Sequence, residues 1–136
     1  MTTRKTDPVK HPQKAADAVR AFNHATMRNR DGSGELAYPG TVYRTVAAFA
    51  SLAYRLPQAF DQIGVALTGL HQAGHLTADH GTPTEHAHAT SAALREAEQH
   101  ATAMAEALQR AHSACSPLGY RGPLTDTDDH DDAEGE

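Results

Sequence analysis

Residues 82–115 read TPTEHAHATSAALREAEQHATAMAEALQRAHSAC, and this stretch decides the fold. It opens as a helix opens. Thr82 offers a hydroxyl at the N-cap, Pro83 suits the first helical position, and Glu85 stands at N3 to complete a capping box. Neither Pro nor Gly interrupts it before Pro117, so the helix can extend about 50 Å at ~1.5 Å per residue. Its inner face repeats every seven residues. One seam set is Ala87, Leu94, Ala101, Leu108 and Cys115; the other is Thr90, Ala97, Met104, Ala111 and Leu118. A seam with this repeat needs a partner helix, and its small residues let that partner come close.

The partner is residues 39–73. Pro39 opens it, and Val42, Val46, Phe49, Ala53, Leu56, Phe60, Ile63, Leu67, Leu70 and Gly74 follow at alternating spacings of four and three. Pro57 has no N–H to donate to the carbonyl of Ala53, which kinks or breaks a helix interior. The repeat stays in phase across it, so the segment predicts one helix bent at Pro57 or two stacked end to end. Residues 74–81 are short enough for a hairpin turn, which places two arms of similar length antiparallel.

Upstream, Pro12 starts a shorter helix to about Arg28, with Ala15, Val19, Phe22 and Thr26 as its apolar stripe. The glycines of Asp31-Gly32-Ser33-Gly34 mark the loop that follows. The expected fold is all-α: a short N-terminal helix plus a long antiparallel helical hairpin whose first arm is bent at Pro57. The helical domain spans 12–118, between a disordered basic N-terminus (1–11) and a disordered acidic tail (119–136).

A chain of 136 residues supports one domain. Its net charge of −5 is unevenly spread. Basic residues gather before residue 31, whereas residues 126–136 hold seven acids and no Lys or Arg. The single cysteine, Cys115, excludes an intramolecular disulfide and reads as a small seam hydrophobe. No apolar run approaches the ~20 residues of a membrane span, and no apolar h-region follows the N-terminal charges. The expected compartment is the cytoplasm.

Histidine is abundant, ten in all. His71 and His75 share a helical face at i and i+4, and a hairpin brings His80 and His86 to the same end. Imidazoles so gathered can bind zinc or another divalent ion, with solvated tip histidines as the plainer account. Gln72 stands where a protease-type zinc helix carries glutamate. Lys14, Arg20, Arg28 and Arg30 can contact phosphates, yet no basic recognition helix or aromatic interleaving accompanies them. No nucleophile elbow or phosphate-cradling glycine loop is present, so the chain does not read as an enzyme and implies no cofactor.

The block Ala16-Asp17-Ala18-Val19-Arg20-Ala21-Phe22-Asn23-His24-Ala25-Thr26, then Tyr38-Pro39, then Arg55-Leu56-Pro57-Gln58-Ala59, resembles uncharacterised small all-helical proteins of high-GC actinobacteria. The likeness covers most of residues 7–119. It implies the same order of helices and carries no assigned activity.

The functional expectation is a non-catalytic interaction or scaffolding protein that self-associates as a dimer. Tyr43, Ala50, Tyr54, Ala59 and Ala66 are apolar residues beyond the seam of the second helix and form the expected interface. The alternatives are a nucleic-acid-associated accessory protein using the basic first helix, and a metal-responsive module using His71, His75, His80 and His86.

Overall fold

The computed structural model describes residues 6–27, 34 and 36–123. They form three helices in chain order: α1 (Lys10–Ala25), α2 (Pro39–Gln72) and α3 (Pro83–Cys115). No strand occurs among the described residues. The two long helices pack on each other as the antiparallel hairpin, and the fold class is the one the sequence predicts. No described helix is long and apolar enough to cross a membrane.

The turn between the arms is closed by backbone chemistry at both ends. At the end of α2, Gly74 takes φ +73°, a conformation glycine reaches without a Cβ penalty. The Gly74 amide donates to the His71 carbonyl at 3.0 Å and the His75 amide to the Leu70 carbonyl at 3.0 Å, the paired bonds of a Schellman motif. At the start of α3 the predicted capping box is present. The Glu85 amide donates to Thr82 Oγ1 at 3.2 Å, and the Thr82 amide donates to Glu85 Oε2 at 3.3 Å.

Both ends of the first helix shift, and the alternative stated at Pro57 resolves to a single helix. The first helix begins two residues before Pro12, at Lys10, directly after a turn in which Asp7 Oδ1 accepts from the Val9 amide at 3.1 Å; its N-cap is Val9, which makes no side-chain cap bond. It ends at Ala25, where the Thr26 hydroxyl donates back to the Phe22 carbonyl at 2.9 Å; Arg28 lies outside the described residues. Pro57 sits inside α2, which is one continuous helix rather than two stacked. Past α3, residues 119–123 return over the base of the hairpin. There the Tyr120 ring meets Tyr38 edge-on at 4.8 Å, and its hydroxyl donates to the Pro123 carbonyl. Residues 124–136, with the acidic run, lie outside the described residues.

The core is thin. The described hydrophobic residues that are buried are Ala50, Ala53, Ala87 and Ala101, with Ala53 at 0% exposure. Methyl groups return about 0.8 kcal/mol each on burial, so this line holds two helices together weakly for its length. The gain is proximity. Gly64 faces α3, and a Cβ built on it would touch Leu94 Cδ1 at 3.9 Å.

Candidate association faces of the hairpin

With successive residues about 100° apart, each long helix presents a strip to its partner and one flank on either side of the hairpin. On α2 the strip facing α3 runs through Ala53, Phe60, Gly64 and Leu67, which are buried or half-buried. Ile63 and Leu70, expected on that seam, are 53% and 47% exposed on one flank. The seam of α3 turns in the same sense. Its first set holds, with Ala87 and Ala101 buried and Leu94, Leu108 and Cys115 half-buried. The second set is mostly displaced: Ala97 stays half-buried, but Thr90, Met104, Ala111 and Leu118 are exposed, whereas Ser91, Glu98, Ala105 and His112 are half-buried. Long polar side chains lie along a seam edge by burying their stems, so polarity alone did not mark these positions as outward.

The hairpin therefore has two unlike sides. One is polar. A groove of about 880 Å³ runs there between the arms, lined by Ser51, Tyr54, Arg55 and Gln58 of α2 and by Thr102, Glu106 and Gln109 of α3. It continues toward the tip between Asp61, Thr68 and Gln72 on one arm and Arg95 and Glu98 on the other. At its base the His112 ring stacks on Tyr43 at 4.0 Å with the planes 21° apart. The Ser51 hydroxyl is held by Arg55 Nη1 at 2.6 Å. Its serine and histidine are thus engaged separately, and no nucleophile–base pair is formed.

The other side is apolar. Its α2 stripe is Thr45, Ala48, Leu52, Leu56, Ala59, Ile63, Ala66 and Leu70, without a charged residue; α3 adds Thr90, Ala93, Ala97 and Met104. At the outer edge of α3, His100 Nε2 lies 3.4 Å from Glu96 Oε1. Helix α1 lies on this side and covers one end of it. Ala15, Val19 and Phe22 line a cavity with Thr45, Ala48, Phe49 and Leu52, and the Phe22 ring meets Phe49 edge-on at 5.1 Å. Toward the tip the stripe lies open.

The five residues expected at one interface divide between these sides. Tyr43, Ala50 and Tyr54 fall on the polar side, where Tyr43 is stacked, Ala50 is buried at 8% exposure and Tyr54 stands 76% exposed beside Arg55. Ala59 and Ala66 fall on the apolar side. A common distance from the seam put them in one group; the angle around the helix separates them, and the sequence already carried that signal.

The His80 and His86 rings meet edge-on at 4.9 Å, but the four tip histidines do not assemble into one site. His86 Nε2 donates to the His80 carbonyl at 2.7 Å, so that nitrogen holds a proton and has no lone pair for a metal. His71 Nε2 lies 3.4 Å from Thr84 Oγ1, and the Glu85 carboxylate is spent on the capping box. Among the described residues there is no group of three or more His, Cys, Asp or Glu able to hold a metal ion, which corrects the expected set of His71, His75, His80 and His86. The basic set is also dispersed. Lys14 and Arg20 are exposed on α1 about 120° apart around the axis, and Arg28 and Arg30 lie outside the described residues. No protein-family model, curated protein or solved structure matches the chain.

Proposed function

We propose that this protein is a non-catalytic helical interaction protein that associates with itself along the hairpin. The observation that carries the reading is the mismatch between core and surface. Among the described residues the buried hydrophobes are four alanines, while Ile63, Leu70 and Met104 on the apolar side remain 43–53% exposed. Small domains with so little inside commonly gain stability by oligomerising, and a contiguous apolar stripe on the outside is the surface that does it. The separate engagement of Ser51 and His112 in the polar groove supports a role without catalysis. Light scattering of the full chain at micromolar concentration tests the reading. The expected mass is twice 14.5 kDa, falling on dilution. A mass of 14.5 kDa at every concentration refutes self-association.

A further inference from the structure

We infer that the open, tip-proximal part of the apolar side pairs with the same surface of a second copy of this chain, the two hairpins running antiparallel. This rests on the self-association proposed above and names its surface and its geometry.

The occupant follows from what is available to cover the stripe. From Leu52 to Leu70 the α2 flank carries no charge, and Ala97 and Met104 continue it on α3. The chain's own acidic run does not suit it. Residues 124–136 carry seven acids, whose burial against Ile63 and Leu70 would strip carboxylates of water without a partner. A lipid surface would find Arg44, beside the α1 cavity, and Arg55, next to Leu56, as the basic side chains of α2 and no Lys, fewer cations than amphipathic helices use to hold anionic headgroups. An identical uncharged face meets none of these costs.

The area fits a weak pairing. Leu52 already lines the cavity under α1, so the open part runs from Leu56 to Leu70, roughly 21 Å along the helix and, with two helices side by side, about 20 Å across. Pairing two such faces removes about 840 Å² in total, the size of a transient, concentration-dependent contact.

The orientation follows from α1. It lies on this same side at the hairpin base, where Phe22 meets Phe49, and adds a layer about 10 Å thick. In a parallel pair the two copies of α1 would meet each other and hold the tip halves apart. In an antiparallel pair each tip half enters the layer that its partner's α1 leaves vacant. The α2 helices then lie over each other, with Ile63 near the two-fold axis, while the small residues Ala93 and Ala97 allow the α3 helices to approach.

The test uses the full chain. Ile63→Glu should raise the dimer dissociation constant at least about 100-fold with helical circular dichroism unchanged, because Ile63 is already exposed in the single chain. Tyr54→Glu, on the polar side, should leave the constant within about twofold. As a second measurement, Ile63→Cys in a Cys115→Ser background should form a disulfide-linked dimer under mild oxidation, because α2 faces α2 only in the antiparallel pair. A wild-type monomer at all concentrations defeats both this inference and the reading beneath it. A wild-type dimer that survives Ile63→Glu, or that cross-links through Tyr54→Cys and not through Ile63→Cys, leaves self-association standing and overturns this surface.

Discussion

The two sides of the hairpin come from the same helices, yet they meet water differently. On the polar side Arg55, Asp61, Arg95, Glu98 and Glu106 border the grooves, and the exposed Tyr54 ring stands among them. On the apolar side α2 presents a stripe from Thr45 to Leu70 made only of Thr, Ala, Leu and Ile, and α1 covers one end of it. The difference teaches where to look for a partner. Apolar residues scattered singly among charges need no explanation, whereas an uncharged stripe left open beside a helix that has begun to cover it does.

Three substitutions bear on that comparison. The largest effect should come from the midline beneath both sides. Ala53→Leu adds three heavy atoms where exposure is 0%, and should cost about 3 kcal/mol in urea denaturation by prising α2 from α3. If the loss is under about 0.5 kcal/mol, the arms are not in close contact there and the two sides are not separate surfaces. Next, Phe22→Ala removes the aromatic contact by which α1 sits on Phe49. A 16-residue helix is marginal alone, so helical circular dichroism should fall by about a fifth as α1 melts beside helices of 34 and 33 residues. An unchanged signal would mean that α1 does not depend on this face. The smallest effect belongs to the tip, which favours neither side. Thr82→Ala should cost about 1 kcal/mol through the lost cap, with the oligomeric mass unchanged. A change of mass would show that the tip itself belongs to the contact.

Much of the fold was legible in the residues. Thr82, Pro83 and Glu85 announced the start of α3, and Gly74 the end of α2, because capping is local chemistry that few residue types satisfy. The four–three repeat located both arms. What it did not settle was rotation. In an alanine-rich helix Ala97 and Ala105 are equally fit to face inward, so Met104 was assigned to the seam and Glu98 was not. On α2 the large side chain of Ile63 drew the seam toward itself, whereas close packing favoured Gly64 against Leu94. Distance from the seam alone does not say on which flank a residue lies, so Tyr54 and Ala66 read alike in the sequence although they stand on opposite sides. The histidines misled for a related reason. Their spacing brought them to one end, but the ring of His86 turned to a backbone carbonyl that no pattern of side chains reveals.

The closed turn at the tip also bears on the order of events when the chain folds. The Schellman bonds at Gly74 and the capping box at Thr82 are satisfied within residues 69–86, before any contact farther down the arms is made. Joining the arms there closes only a short loop, which costs far less chain entropy than first bringing Tyr43 to His112. We therefore hypothesise that α2 and α3 zip from the tip toward the base, a low-contact-order route that favours rapid folding. In stopped-flow measurements Thr82→Ala should act mainly on the folding rate, while Tyr43→Ala at the far end should act mainly on unfolding. The opposite pattern would place the nucleus at the base. A tip-first order would leave the apolar flank from Ile63 to Leu70 formed and open before α1 docks, the interval in which two chains can meet.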